Sequence, residues 1–189
     1  MRDSPTRRQD ESGSAIVEFA LVVPLLFALL FGMFSGGLAY NRKLALTNGV
    51  REGSRYGATL AVAQARTQSS PACTLVSDLD CWLTQLATVT QQAAEGELGS
   101  SVNARQVCIA YVYPNGAAPQ DGNRRLMRTA TGDAFVSGAT ATCFADSRPA
   151  GERRVQVSGQ RDGRLELLVT STALTLRSRS VTRFEAAAS

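Results

Sequence analysis

Gly13-Ser-Ala-Ile-Val-Glu18-Phe-Ala-Leu-Val-Val-Pro24-Leu-Leu-Phe-Ala-Leu-Leu-Phe-Gly32-Met-Phe-Ser-Gly36-Gly-Leu-Ala-Tyr40 is the stretch on which the reading of this chain turns. From Phe19 to Asn41 no residue is charged, although 19% of the whole chain is Asp, Glu, Lys or Arg. Coiled as a helix at about 1.5 Å per residue, such a run spans about 34 Å, against about 30 Å for the hydrocarbon core of a bilayer. Pro24 lacks an N–H and crowds the preceding turn, which loosens a helix but is tolerated in membrane helices. Ala28, Gly32, Gly36 and Tyr40 recur every fourth residue and share one stripe. Gly32-x-x-x-Gly36 is a pattern that lets two helices approach closely. Upstream, residues 1–13 are polar, charged and contain Ser, Pro and Gly. They read as a disordered leader.

Beyond the apolar run the chain is more polar than its average and long enough to bury a core of its own. With 189 residues it suits one domain plus an appendage. It has no histidine. That excludes Ser-His-Asp and Cys-His catalysis, His-ligated metals and an imidazole pH switch. The carboxylates are scattered, without an acid–base pair, a phosphate-binding glycine loop or metal-ligand spacing. The chain therefore reads as a non-enzyme with no cofactor and no metal. The net charge of +4 is small and spread out, which argues against a nucleic-acid partner.

Cys73, Cys81, Cys108 and Cys143 all follow the apolar run. An even number in that place suggests two disulfides in an oxidising compartment. Three pairings are possible. Cys73–Cys81 with Cys108–Cys143 is favoured, because the first pair closes a short local loop.

Three readings of the apolar run compete: a plain membrane anchor, a secretory signal cut after Ala39, and one that turns on Glu18. A signal's apolar core is normally about 7–15 residues, so this run is long for one, and it begins with an acid. An acid at the edge of a membrane segment is costly and is a functional candidate by default. Gly13, four uncharged residues, Glu18, Phe19 and then continuous apolar sequence resemble the cleavage site of type IV prepilins and pseudopilins. The longer string, with Asn48-Gly-Val-Arg-Glu-Gly-Ser-Arg-Tyr-Gly57 downstream, looks like the TadE-like branch of the tight adherence (Tad, or Flp) pilus system, a type IVb group. These two blocks cover about the first 60 residues, and a weaker likeness reappears in Ser178-Arg-Ser-Val-Thr-Arg-Phe-Glu185.

That resemblance implies a minor pseudopilin cut between Gly13 and Ser14 by a membrane prepilin peptidase. Glu18 and Phe19 would serve assembly, Glu18 pairing with a neighbouring subunit's new α-amino group. Pro24, Gly32 and Gly36 would serve helix packing. Partners would be the peptidase, other pilins and pseudopilins, the pilus platform of the inner membrane, and the membrane itself. The place would be a bacterial inner membrane, single-pass with the C-terminal domain periplasmic, or the surface pilus if the chain leaves with the filament. Counting Lys and Arg on either side of the run does not favour this orientation. The cysteines and the resemblance do. The alternatives are a soluble binding protein released after Ala39 and an unprocessed, membrane-anchored structural protein.

The expected fold is α+β: a long transmembrane and amphipathic helix, then a small pilin-like domain with an antiparallel sheet and one or two helices. The boundaries are 1–13 leader, 14–40 transmembrane helix, 41–63 amphipathic extension and 64–189 head. Leu46, Val50, Gly53, Gly57 and Leu60 fall on one helical face. The Arg51-Glu-Gly-Ser-Arg-Tyr-Gly57 segment is read as lying on its own domain rather than on a partner. Residues 64–80 read as loop, and a helix is expected from Asp80 to Gly96 with Trp82, Leu83, Leu86, Val89 and Ala93 on one face. A strand over Val102–Tyr113 ends at Pro114-Asn-Gly. Residues 114–126 and 137–152 read as loops. Val155–Gln160 and Arg164–Thr170 flank Asp162-Gly163 as a hairpin. A last strand runs from Leu174 to Phe184, with Arg177, Arg179 and Arg183 on a solvated face, and the final Glu-Ala-Ala-Ala-Ser is frayed.

Overall fold

A computed structural model gives the architecture and describes residues 11–65, 73, 77–98, 105–113, 123–149, 151–166 and 171–185. Most of the leader, the Pro114-Asn-Gly turn, the start of the strand at Val102 and the end of the tail lie outside the described residues.

The first helix, α1 (Glu11–Thr59), is one uninterrupted element of 49 residues with Pro24 inside it. The amphipathic extension expected to residue 63 breaks after Thr59 and resumes as a single turn, α2 (Val62–Ala65). Then come α3 (Asp78–Ala93) and five strands: β1 (Arg105–Val112), β2 (Arg124–Thr129), β3 (Gly132–Ser137), β4 (Arg154–Glu166) and β5 (Ser171–Arg183). The strands form one antiparallel sheet in the order β3-β2-β1-β4-β5. The α+β class is the one expected from the sequence, with the sheet as one layer and α1 and α3 as the other.

The layers meet through an alternation of period two on the strands and period 3.6 on the helices. Val107, Ile109 and Tyr111 of β1, Leu126 of β2, and Val155 and Val157 of β4 are buried against Leu46 and Val50 of α1 and Trp82, Leu83 and Leu86 of α3. The helical face read from Leu46, Val50, Gly53, Gly57 and Leu60 is buried throughout. Its glycines permit close approach: a methyl group at Gly49 would lie 2.7 Å from the Thr90 carbonyl oxygen, and one at Gly57 would press on Leu86 and Val155. The Arg51–Gly57 segment thus packs on its own domain, and Arg51, Glu52 and Arg55 point to solvent.

Helix α3 starts two residues before the expected Asp80. Ser77 caps it, its hydroxyl accepting from the Asp80 N–H at 3.1 Å, and Asp78 and Asp80 complement the dipole of the first turn. It ends at Ala93 rather than Gly96, where Glu95 and Gly96 take positive φ of 50° and 80°. Of the face expected to be buried, Trp82, Leu83 and Leu86 are, while Val89 and Ala93 are half-buried. Buried Asp80 holds the Arg124 guanidinium with both oxygens, at 2.7 and 2.8 Å, tying α3 to β2.

Two expectations for the strands are overturned. Asp162-Gly163 is not a turn: β4 runs unbroken to Glu166, with Asp162 opposite Thr175 and Gly163 opposite Leu174. A two-residue Asp-Gly turn of type I′ needs positive φ at both residues, and neither has it. The Thr175 hydroxyl instead donates to Asp162 at 2.9 Å across the ladder. Residues 164–166 therefore continue β4 rather than pairing with 155–160, whose neighbours are β1 and β5, and the rest of the expected strand, 167–170, lies outside the described residues. The last strand begins at Ser171 rather than Leu174 and ends at Arg183, so Phe184 follows it. The second correction is the loop expected over 114–126. Arg124, Arg125 and Leu126 open β2, which pairs with β3 through Ala130-Thr131. The loop expected over 137–152 is irregular, beginning where β3 ends.

Both disulfides have the favoured pairing, Cys73–Cys81 and Cys108–Cys143. The second draws the 138–149 loop over the outer face of the sheet. Buried Gln156 completes the attachment. Its carbonyl accepts from the Cys143 N–H at 2.9 Å, and its amide donates to the Phe144 carbonyl at 2.9 Å and to Asp146 at 2.6 Å. Arg154 Nε donates to the same Asp146 carboxylate at 2.8 Å.

Burial opposes ionisation of Asp146. Hydrogen bonds from Gln156, the Arg148 N–H and Arg154, with the charge of Arg154, outweigh it and hold the carboxyl below its usual 3.8. A depressed folded-state value means stability that is complete above the unfolded value and is lost as pH falls through the folded one. Asp146→Asn should therefore flatten the acid limb of stability below about 3.8. Urea unfolding across pH 2–6 checks this, and an unchanged acid slope in the variant would count against it.

Candidate functional site

From Ile16 to Leu44 every large apolar side chain of α1 except Val23 is exposed, Phe19 by 70% and Met33 by 73%. Folding normally hides such a surface, and an exposed apolar area of this extent marks a partner or a membrane. The helix is long and apolar enough to cross a membrane, and none of its most apolar window is buried by the rest of the chain.

The residues singled out in the sequence fall into two groups. Gly13, Glu18, Phe19, Pro24, Gly32 and Gly36 lie on α1 well before its buried face. Ser14 sits beside Gly13 in the first turn of the helix. Gly13 is exposed, and an added Cβ there would meet nothing within 4 Å. Glu18 is exposed one turn further on. Added Cβ atoms at Gly32, Gly36 and Gly37 would also meet nothing within 4 Å, unlike those at Gly49, Gly53 and Gly57. The lower glycines are required by the chain's own packing, while the upper ones face open space. Phe27 and Phe31, one turn apart, stack with centroids 6.3 Å apart.

The cysteines form the second group and are distant from the first, both disulfides lying in the head. The outer sheet face carries Arg177, Arg179 and Arg183, all exposed as expected, with the Arg179 guanidinium 5.4 Å above the Phe144 ring. Beside them is a hollow of about 160 Å³, lined in part by Gln106, Ser158 and Gln160 and bordered by the Cys108–Cys143 bridge.

Sequence reasoning did not place Ser35, Ala39 and Arg42 on the packed face, and weighed Ala39 only as the end of a secretory signal. They continue the buried line of Leu46 and Val50 toward the N-terminus and are half-buried, between exposed Leu38, Tyr40 and Leu44. Their spacing is helical, but the surrounding apolar run masks it, and only the placement of the sheet brings it out.

Residues 13–55 match the model of the TadE-like protein family, and over that stretch the chain is similar to it. The match takes in Gly13, Glu18, Pro24 and the first part of the face that packs on the head. No curated protein and no solved structure matches the chain.

Proposed function

We propose, from the TadE-like character of residues 13–55, that the chain is a minor pseudopilin working in the assembly of a Tad/Flp type IVb pilus. It is made as a precursor, cut between Gly13 and Ser14, and held in the inner membrane by α1 with the head on the periplasmic side. It acts by assembly and not by catalysis. The carrying observation is the bare apolar half of α1, projecting from a head that has closed its own core without it. Removing the leader would place a free amine four residues before Glu18, and a carboxylate and an ammonium in an apolar bundle are each costly unless paired. Pairing between subunits would fix their stagger as well as lower that cost.

The experiment is the N-terminus of the mature chain, taken from membranes of cells with and without the prepilin peptidase. A start at Ser14 that depends on the peptidase is expected. A start at Tyr40 would replace this reading with the secreted one, and an intact Met1 would leave an unprocessed anchor. In the same cells Glu18→Ala is expected to be cleaved normally and to lose most surface filaments. Full piliation in that variant would refute the role given to Glu18.

A further inference from the structure

The β4–β5 hairpin does not stop where the core stops. Strand β4 lies along α1 in the opposite direction, so that Gly57 meets Val155 while Leu46 and Val50 meet Gly159. Strand β5 follows with Ser180 on Ser54 (2.7 Å), Ser178 on Thr47 (3.4 Å) and the Arg177 carbonyl on the Lys43 ammonium. Beyond Arg177 the ladder continues from the Arg161–Leu176 pair to the Glu166–Ser171 pair. The way from Gly159 to Glu166 is about 23 Å at roughly 3.3 Å per residue. On α1 that distance is about fifteen residues, which from Leu46 and Val50 reaches Phe31 to Ser35. The helix face in this interval is the half-buried line Arg42, Ala39 and Ser35. Arg161, at the start of this stretch, is ion-paired with Glu97, and burial, with the charge of Arg42 adding to it, pushes its guanidinium below its usual value.

Hydrocarbon does not accept such a hairpin. Strand β5 is an edge of the sheet among the described strands, a position that leaves backbone groups without a ladder partner, and the hairpin carries exposed Asp162 and Arg164. The absence of charge up to Asn41 therefore overstates the spanning length. Ala15–Phe34 is 20 residues, about 30 Å of helix, which alone fits the hydrocarbon core.

We propose that the outer arms of β4 and β5, residues 161–166 and 171–176, are seated in the phospholipid headgroup layer, and that the hydrocarbon ends at Phe34, not at Tyr40. This rests on the reading of α1 as a membrane span. Headgroups suit the surface offered: exposed Ser171, Thr172, Thr175 and Arg164 supply hydrogen bonds and a charge for phosphate. Tyr40, exposed and about 9 Å beyond Phe34, lies at the depth where aromatic side chains with a polar end collect. The head is then pressed to the membrane surface, and Ser35–Asn41 is a stem that the hairpin shields on one side.

The test uses the full chain in vesicles of phosphatidylethanolamine and phosphatidylglycerol. A small fluorescent residue is placed in turn at Leu29, Leu38, Thr172 and, as a remote control, Thr140. Quenching is read with nitroxides on the headgroup or deep in the acyl chains. Leu29 is expected to respond to the deep nitroxide, Leu38 and Thr172 severalfold more to the headgroup nitroxide, and Thr140 to neither. Quenched Leu29 with Thr172 as dark to nitroxides as Thr140 would overturn the hairpin's seat while leaving the span intact. Deep quenching of Leu38 would overturn the boundary at Phe34. Thr172 shielded from water only at high protein-to-lipid ratio would assign the hairpin to a second copy of the chain and overturn the proposal. Unquenched Leu29 would remove the span, and the proposal with it.

Discussion

Trp82→Ala is expected to cost the head about 3–5 kcal/mol, enough to unfold a domain of ordinary stability. The side chain is fully buried at the point where both layers and the end of the chain meet. Its ring edges contact Tyr111 of β1 at 5.6 Å and Phe184, just after β5, at 6.2 Å, and those two rings contact each other at 5.3 Å. Its Nε1–H donates to the Leu60 carbonyl at 3.0 Å, where the break after α1 leaves an acceptor that no helical turn serves. Alanine removes the ring volume and orphans that carbonyl together. Trp82→Phe separates the two, keeping most of the volume and losing only the donor, for about 1–3 kcal/mol. Urea unfolding of the full chain in detergent, followed by circular dichroism, gives both numbers. Equal losses for Phe and Ala would mean that the hydrogen bond, and not the packing, carries the effect.

Replacing Cys108 and Cys143 together by serine is expected to cost nearly as much, about 3–4 kcal/mol from the loop-closure relation for a separation of 35 residues. The loss should appear in the same denaturation experiment, and reducing the wild-type chain should approach it. The Cys73–Cys81 bridge, with a separation of 8, should contribute less, about 2.5 kcal/mol. Without the longer bridge the 138–149 loop is held by hydrogen bonds, chiefly from Gln156 and Arg154 of β4 and Arg125 of β2, so its protection from proteolysis should fall first. Unchanged stability in the double variant would contradict this account.

The long helix, its buried face and the disulfide pairing were legible because each rests on one strong local signal. The face from Leu46 to Leu60 repeats with helical period, and Cys73 and Cys81 are close enough in sequence to close on each other. The β2–β3 hairpin carries no such signal. Its strands hold Arg124, Arg125 and Arg128, which look solvated in sequence. In the fold Arg124 is held by Asp80, and Arg128 by Asp133 and Gln91, so charge ends up beneath a helix. Its turn is Ala130-Thr131, which has no turn preference, although Gly132 at φ 131° marks its end. Asp162-Gly163 errs the other way: a strong local turn signal was outweighed by a ladder of thirteen pairs between β4 and β5. For the candidate site, the position of Glu18 at the edge of the apolar run and the spacing of the glycine stripe were read from the residues, and Gly13 came from the resemblance to type IV prepilins. Ser35, Ala39 and Arg42 needed the sheet in place.

Because α1 passes from open surface to core with no joint, the head has no independent orientation. Its azimuth is set by helical phase, at about 100° per residue. One residue inserted between Tyr40 and Leu46 would turn the head by that angle relative to Glu18 and lift it about 1.5 Å. Seven would return it to within about 20° of its first bearing while raising it about 10 Å. The distance and the bearing from the N-terminal carboxylate to the head are thus one quantity, counted in residues.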